Sequence, residues 1–364
     1  MTRVLVYTYD FPPMSGGAGS VASDLVNSLM RRNFYVKVVT SKVSGRQNTN
    51  MNLVEVSSIP KIRQLSFFRK LKVTEMVRYD SIILNGTLAV SMAAIFFSPD
   101  LIRKSTVYLH GMENEYLTEN KLFRKILNFD KRYNYLLDNC RAIVAVSEYI
   151  KDRVISFLQR PDLTKKMTIV SNAVNHSLFF RVDGVKKKSL ALPEDKTLVL
   201  TVTRVIEGKG LEKLISCLES VFAKDPSFHW VLAGDGLKFK NIKKLVENSS
   251  ICNRVTLLGY VDRMQLRLLY SACDVFVLLS ELDESFGLVY LEANACGLPV
   301  IGRDSGGVRE VIQDGRNGFL VAGNGECENI LVTHAYRKLV GSEIVARSYE
   351  FDWESSVDSL IQVM

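Results

Sequence analysis

Two acidic residues, Glu284 and Glu292, stand eight positions apart where an apolar run gives way to a helical pattern. The run Val275–Leu279 predicts a buried parallel strand. Glu284 then falls in the strand-to-helix loop, and Glu292 lies about two turns into the following helix. Such loops form the carboxyl edge of an open α/β sheet, where these folds bind ligands. Ionised carboxylates accept hydrogen bonds and sugar hydroxyls donate them, so the pair predicts a polyhydroxylated ligand.

Arg204 and Lys209 follow another predicted strand, Thr197–Val202. An arginine offers a planar fork of donors and a lysine a point charge, and together they suit a phosphate group. The alternative is a pair of solvated surface cations. The glycines on either side of Lys209 favour the phosphate interpretation.

His110 ends the predicted strand Ser105–Leu109 and is one of four histidines. It could donate a hydrogen bond to a sugar hydroxyl or polarise a leaving group, or its role could be structural. Gly234 and Gly259 also follow predicted strands. A turn is the default role for both, and a backbone contact with a nucleotide is the alternative.

The glycine-rich segment Gly16–Gly19 separates the first predicted strand from a helix over about Val21–Arg32. Glycines there let the backbone approach an anion at the helix N-terminus. The spacing does not fit GxGxxG, so a simple turn remains an equal alternative to a dinucleotide loop.

Strands alternate with helices through both halves of the chain, which predicts βαβ units and parallel sheets. The 364 residues favour two domains, and the pattern breaks over residues 172–194, which we interpret as a linker. The other predicted strands are Val4–Thr8, Val36–Thr40, Ile82–Leu84, Ala142–Val146, Met167–Val170, Trp230–Ala233, Val255–Leu258 and Pro299–Ile301.

The net charge of +8 is uneven: residues 1–170 hold 25 Lys+Arg against 14 Asp+Glu, and the remainder holds 22 against 25. Residues 61–72 and 121–127 interleave cations with Leu and Phe. Such stretches suit an anionic membrane surface, or they are ordinary helices that pack on the domain. No recognised nucleic-acid module appears, so no nucleic-acid partner is expected.

Several classes of protein are disfavoured by what the sequence lacks. The six cysteines include no CxxC pair, which predicts reduced thiols in a cytosolic protein. No signal peptide opens the chain, and no apolar run reaches the roughly 18–20 residues of a membrane span. HExxH, DxD and clustered His/Cys sets are absent, so we expect neither an obligatory metal nor another cofactor. The GxSxG elbow and the P-loop are absent too.

Taken in order, these segments resemble the retaining glycosyltransferases of family 4 (glycosyl transferases group 1), which have the GT-B fold, and in particular those of bacterial surface-polysaccharide assembly. The most specific stretch runs from Glu284 through Glu292 to Ile301. Asn172-Ala173 stands where the family often has Asn-Gly. The other matching segments are Pro12 to Gly17, His110-Gly111, Val146-Ser147, Arg204 to Gly210, Gly234 to Gly236, Gly259, Gly306 to Glu310 and Asp314 to Val321.

The resemblance implies an α/β protein with two Rossmann-like domains whose parallel sheets face each other across a cleft. Residues 1–172 would form the acceptor-side domain, and a final helix from about 350 to 364 would cross back onto it. Residues 173–349 would bind the nucleotide sugar. The family needs no metal, which agrees with the missing DxD.

It also implies residue roles. Arg204 and Lys209 would hold the donor diphosphate, Glu292 the ribose, and Glu284 a hydroxyl of the transferred sugar. His110 would act in catalysis with Arg204, Lys209 and Glu284. Retention would follow front-face displacement, with the departing phosphate taking the acceptor's proton. The remaining implied donor contacts are Gly16, Gly17, Gly234, Gly259, Tyr260, Val261, Ser285, Phe286, Gly287 and Leu288.

The sequence thus predicts a cytoplasmic enzyme that moves a hexose from a UDP- or GDP-sugar to a glycan or lipid-linked acceptor. The pathway would be the synthesis of O-antigen, capsule or lipopolysaccharide, and the basic N-terminal domain would contact an anionic membrane peripherally on the cytoplasmic face of the inner membrane. One alternative is a non-catalytic subunit that binds sugar nucleotides. Another is a nicotinamide-dependent oxidoreductase, which the missing GxGxxG disfavours.

Overall fold

The computed structural model describes residues 1–12, 17–43, 52–56, 73–111 and 121–364, without the side chains of 73–74 and 121–123. Contacts divide the chain into two units. The first joins Met1–Asn172 to Trp353–Met364, and the second is Ala173–Asp352. The sequence predicts a division after residue 172 and a returning segment from about residue 350.

The described strands of the first unit form a parallel sheet in the order β3-β2-β1-β4-β5-β6-β7. Its central strands are almost wholly buried on both faces, which is why they read as continuous apolar runs. The strands are β1 Arg3–Thr8, β2 Tyr35–Ser41, β3 Asn52–Val56, β4 Ser81–Asn85, β5 Ser105–Leu109, β6 Ala142–Ala145 and β7 Met167–Ile169.

Helices lie in most of the connections between these strands, as far as the described residues extend. Ser147 begins one of them by accepting a hydrogen bond from Ile150 N at 3.1 Å. The helices are α1 Gly17–Arg31, α2 Val73–Met76, α3 Thr87–Phe96, α4 Pro99–Arg103, α5 Lys121–Ile126, α6 Phe129–Asn139 and α7 Glu148–Leu158, with a 3₁₀ turn at Pro161–Lys165.

The second unit has a parallel sheet in the order β10-β9-β8-β11-β12-β13. The order reverses between β8 and β11, so a crevice is expected outside the carboxyl ends of these two strands. The strands are β8 Thr197–Val202, β9 Phe228–Ala233, β10 Val255–Gly259, β11 Val275–Leu278, β12 Val300–Arg303 and β13 Gly318–Val321.

Helices on the second unit enclose a core around the fully buried Trp230. They are α8 Leu211–Lys224, α9 Phe239–Glu247, α10 Arg263–Ala272, α11 Leu288–Ala295, α12 Val308–Val311, α13 Asn324–Val332 and α14 Gly341–Tyr349. Short 3₁₀ turns lie at Lys187–Leu190, Cys252–Arg254 and Ala335–Lys338.

A final helix, α15 Trp353–Val363, belongs to the first unit and packs on α1. Arg32 forms ion pairs with Glu354 and Asp358, each at 2.9 Å. The Ser356 hydroxyl donates to Ser171 O at 2.9 Å. These contacts connect the C-terminal helix to the first unit.

The predicted pair of Rossmann-like parallel sheets is confirmed. Two strands were not predicted from the sequence: β3, a partly exposed edge strand that contains Asn and Glu, and the short β13. Within the described parts of the chain, no helix combines the length and apolar character needed to cross a membrane.

Candidate functional site

An ion pair lies at the carboxyl edge of the second sheet, where the loops after β8 and β11 meet. Lys209 Nζ is 2.5 Å from Glu284 Oε1, although the two residues are 75 positions apart in the chain. Both side chains are mostly buried, with exposures of 12% and 20%. The sheet order therefore brings together the cation and the first carboxylate that were selected from the sequence.

The loop that carries Lys209 is held against the end of β11 by its flanking glycines. Gly208 O accepts hydrogen bonds from the backbone N–H groups of Glu281 at 2.8 Å and Leu282 at 3.0 Å. Gly210 has φ +69°, and a Cβ there would lie 2.0 Å from Leu279 O. A side chain at this position would force the two loops apart, so the glycine fixes where Lys209 lies.

The backbone around Glu284 is positioned in a similar way by the loop after β12. Gly307 N donates to Glu284 O at 2.8 Å. A Cβ on Gly306 would lie 2.6 Å from Glu284 O, and one on Gly307 would lie 2.4 Å from Ser285 O. This close backbone packing gives Glu284 a defined place although it belongs to a loop.

Helix α11 starts directly after this loop, with Gly287 at φ +100° and no side-chain cap. The first amides of a helix lack intrahelical partners and carry partial positive charge. Phe286 is buried and packs edge-on against Phe351 at 5.4 Å between ring centroids. The start of α11 can therefore offer backbone donors to an anionic or hydroxylated ligand, beside the partly buried Ser285 and Leu288.

Glu292 is the fifth residue of α11, slightly more than one turn from its start instead of the two turns expected, because the helix begins only at Leu288. The Tyr270 hydroxyl donates to Glu292 Oε2 at 3.3 Å. Burial is the main cause that raises the pKa of Tyr270, so the phenol keeps its proton. Tyr270 lies on α10, whose N-cap Asp262 accepts from Met264 N and Gln265 N.

Arg204 is exposed, and its guanidinium makes no hydrogen bond or ion pair with the described residues. Its backbone is packed against the glycine turn after β9. A Cβ on Gly234 would lie 1.8 Å from Thr203 O, and Val205 N donates to Asp235 O at 3.0 Å. In this structure the glycine turn supports the Arg204 loop.

The loop after β10 completes the edge. Gly259 has φ +67°, and its carbonyl accepts from Gly234 N at 2.7 Å. Tyr260 is 63% exposed and Val261 is partly buried. The loop can therefore present both side chain and backbone to a ligand.

His110 lies in the first unit, directly after β5, with its Nε2 2.6 Å from Asn85 Oδ1. The surrounding protein desolvates the ring and lowers the pKa of His110 to about 4. Gly17 is the exposed first residue of α1, and Gly16 lies outside the described residues.

Two partners of these side chains were missed in the sequence analysis. Asn85 carries a signal, since it is a polar residue at the carboxyl end of a predicted strand and is followed by Gly86. Tyr270 carries none, because an aromatic residue in a helix is usually core.

Within the described residues, no cluster of three or more His, Cys, Asp or Glu side chains is placed to hold a metal ion.

Two family profiles match the chain. Residues 15–178 match Glycosyltransferase Family 4, and residues 183–331 match Glycosyl transferases group 1. A relative from Bacillus anthracis, N-acetyl-alpha-D-glucosaminyl L-malate synthase, is 28% identical over 325 residues, which is 85% of this chain and 81% of the relative.

Solved structures share the fold over the full length. The Anabaena Alr3699/HepE protein in complex with UDP and glucose superposes with a TM-score of 0.80 at 22% identity, covering 100% of this chain and 99% of the other. Sucrose-phosphate synthase from Thermosynechococcus elongatus gives 0.79 at 22% identity, with 100% and 98% covered.

Proposed function

Since the chain belongs to the GT4 glycosyltransferases (glycosyl transferases group 1) with the GT-B fold, we propose that it transfers a hexose, with retention, from a nucleotide-diphosphate sugar to a glycan or lipid-linked acceptor. The observation that carries the proposal is the Lys209–Glu284 pair beside Glu292 at one sheet edge. This arrangement suits a ligand that combines negative charge with two sets of hydroxyls.

Each part of such a donor has a matching group. The exposed Arg204 and the ammonium of Lys209 bind the diphosphate, and their charge stabilises the leaving group as negative charge develops on it. Glu292 accepts from the ribose hydroxyls, and Glu284 accepts from a hydroxyl of the hexose. Backbone N–H groups near Gly287 assist.

Front-face displacement gives retention without a protein nucleophile. The bond from the anomeric carbon to the β-phosphate oxygen breaks, and the acceptor oxygen bonds to the same face. The acceptor's proton passes to the departing phosphate oxygen. Because Arg204, Lys209 and the start of α11 provide the positive charge, we propose that no metal ion is required. We also propose that His110 acts in transfer.

The nucleotide is proposed to be UDP, with GDP as the second choice, because the Anabaena neighbour is described with UDP and glucose and also with UDP-glucose. The relative from Bacillus anthracis handles an N-acetylglucosaminyl group. UDP-glucose and UDP-N-acetylglucosamine are therefore the first donors to test, in a thermal-shift screen that includes GDP-sugars and NAD(P).

The acceptor is proposed to be lipid-linked, in cell-surface polysaccharide synthesis on the cytoplasmic face of the membrane. The supporting observation is the basic first unit. Its helices α5 and α6 expose Lys125 and Lys131 beside the apolar Ile126 (71% exposed) and Tyr135 (44%). Cations interleaved with exposed apolar groups suit an anionic lipid surface. The similar stretch 61–72 lies outside the described residues.

The test is transfer by the purified protein, with the product anomer read by NMR and with or without EDTA. Lys209→Ala and Glu284→Ala should each lower transfer by at least about a hundredfold. Lys213→Ala is the matched control. Lys213 lies four residues after Lys209, pairs with Glu281 and is 65% exposed. Inversion, loss with EDTA, or near-normal turnover in either variant would contradict the corresponding part of the proposal.

Stabilisation by NAD(P) without any by nucleoside diphosphates would instead favour an oxidoreductase. Binding of nucleoside diphosphates without hydrolysis or transfer of any donor would favour a non-catalytic subunit.

A further inference from the structure

Three side chains form a hydrogen-bonded series at the carboxyl edge of the first sheet: Thr8 and Asn85 end the adjacent strands β1 and β4, and His110 directly follows β5. His110 Nε2 is 2.6 Å from Asn85 Oδ1, and Asn85 Nδ2 is 3.0 Å from Thr8 Oγ1. The Thr8 hydroxyl donates in turn to Asp10 O at 2.9 Å. Thr8 and Asn85 are buried, with exposures of 1% and 3%. Register places Thr8 directly opposite Asn85.

The last bond in the series fixes the direction of the others. A backbone carbonyl such as Asp10 O can only accept, so the single proton of the Thr8 hydroxyl points to it. Thr8 Oγ1 must then accept from Asn85, which turns the amide nitrogen towards Thr8. The Asn85 oxygen consequently faces His110.

The opposite orientation of the Asn85 amide is excluded because it leaves too few protons for the oxygen atoms in contact. It would place two oxygens, Asn85 Oδ1 and Thr8 Oγ1, in contact, with one hydroxyl proton for two acceptors. One contact of about 3 Å between oxygens would then lack a proton. The hydrogen-bond network therefore allows only this orientation of the Asn85 amide.

His110 must therefore carry its proton on Nε2. Its ring is stacked on the buried Tyr108, with 4.9 Å between centroids, and burial lowers the pKa of His110 to about 4. The Tyr108 phenol carries no charge near neutral pH. Asp10 contacts Thr8 through its backbone carbonyl and not through its carboxylate. The neutral ring has one proton, so Nδ1 keeps its lone pair.

We infer that Asn85 is a positioning residue, which holds His110 as the neutral Nε2–H tautomer, so that any hydrogen bond between the His110 ring nitrogens and substrate is one that Nδ1 accepts from a hydroxyl. This rests on the proposed transfer reaction. His110 is thereby neither a proton donor nor a cation for the departing phosphate, although donation was one of the roles considered from the sequence. Thr8 acts through Asn85.

The tautomer can be read directly by ¹⁵N NMR of the imidazole nitrogens in the full chain. There are four histidines, and His110→Gln assigns the signals of this one. The wild type should show a protonated Nε2 and an unprotonated Nδ1 from neutral pH down to about pH 5. A proton on Nδ1, or a doubly protonated ring at pH 7, would overturn the inference.

Variants test the series itself. Asn85→Leu keeps the approximate size and removes the acceptor, so the proton should redistribute between the two nitrogens. Thr8→Val should do so partly, because Asn85 can then turn over. Thr106→Val is the matched control: this threonine is buried in the same sheet, and its hydroxyl has no hydrogen-bond partner among the residues that the structure describes. An unchanged tautomer in both Asn85→Leu and Thr8→Val would also overturn the inference.

Kinetics connect the tautomer to the reaction. Asn85→Leu should lower kcat about tenfold or more. The UDP concentration that gives half of the maximal thermal stabilisation should stay within about twofold of the wild-type value. Thr106→Val should change neither. If the wild type shows the Nε2–H tautomer but transfers no sugar, the proposed function fails and the tautomer assignment stands. If transfer occurs with a proton on Nδ1, only this inference fails.

Discussion

Lys209 Nζ lies 2.5 Å from Glu284 Oε1, in a setting where neither side chain is more than 20% exposed. The charge of Lys209, which we propose binds the donor diphosphate, is thus balanced by Glu284, which we propose binds the donor sugar. If the proposed donor binds here, it must compete with this ion pair for both side chains.

Loss of one member of this pair should cost more stability than loss of both. Removing a single partner leaves an uncompensated charge in a mostly buried place, whereas removing both does not. Double-mutant cycles with Lys209→Ala and Glu284→Ala should give a coupling of about 1–3 kcal/mol. Urea unfolding, followed by Trp230 fluorescence in a Trp353→Phe background, isolates the second unit, because the chain has two tryptophans. Additive effects would show that the pair does not form in solution.

Tyr270→Phe should weaken donor binding without abolishing transfer. The variant removes the hydrogen bond to Glu292 Oε2 and leaves the ring packing intact. Without this bond the Glu292 carboxylate is less well oriented for a ligand, so Kd for UDP should rise about threefold to tenfold, and KM for the donor should change more than kcat. Tyr290→Phe is the control, since that hydroxyl donates to Leu278 O. Equal effects of the two variants on UDP binding would argue against a role for Tyr270 at the ribose.

Gly210→Ala should destabilise the second unit by several kcal/mol and abolish UDP binding. Its new Cβ would lie 2.0 Å from Leu279 O, so the loops that carry Lys209 and Glu284 must separate. Gly315→Ala is the control for backbone strain alone, because Gly315 has a similar φ of +73° and open space around it. It should cost about 1 kcal/mol. Trp230 fluorescence measures the stability of each variant, and UDP thermal shifts measure its UDP binding. Similar losses of stability and binding in the two variants would mean that the close approach of Gly210 to Leu279 is not the cause.

Acid should destabilise the first unit through His110. The unfolded chain takes up a proton near pH 6.5, whereas the folded ring resists protonation down to about pH 4. The stability contributed by the neutral ring is therefore complete above pH 6.5 and is lost as the pH falls towards 4. Between pH 7 and pH 4.5, wild type should lose about 2 kcal/mol more than His110→Gln. Trp353 fluorescence in a Trp230→Phe background reports on this unit, and parallel pH profiles would contradict the desolvation of the His110 ring.

Charge reversal on α5 and α6 should separate membrane binding from catalysis. Lys125→Glu with Lys131→Glu should abolish flotation with anionic liposomes at low salt, since each cation contributes about 1 kcal/mol near such a surface. Lys240→Glu with Lys244→Glu makes the same change in net charge on exposed residues of α9. If both pairs reduce flotation equally, the attraction depends on net charge and not on this face. If wild type does not float at low salt, the membrane proposal falls.

The sequence predicted the sheets well because their strands are buried on both faces, so Val275–Leu279 and Thr197–Val202 read as continuous apolar runs. The proximity of Lys209 and Glu284 could be predicted for a related reason: the loops that follow the strands of one parallel sheet lie at the same edge. The bonds Tyr270–Glu292 and Asn85–His110 could not be predicted, because they depend on side-chain direction across separate elements. Strand β3 was missed since Asn52–Val56 at an edge lacks an apolar run.

The return of α15 to the first unit has a consequence for how the chain folds during synthesis. The second unit is one uninterrupted segment, Ala173–Asp352, whereas the first needs Trp353–Met364 to be complete. The unit that the ribosome begins first is thus finished last. Until α15 emerges, the surface of α1 that pairs with it stays uncovered, and Arg32 lacks Glu354 and Asp358. A ribosome that stalls before residue 353 would release a chain with a complete nucleotide-sugar unit and an unfinished, aggregation-prone partner.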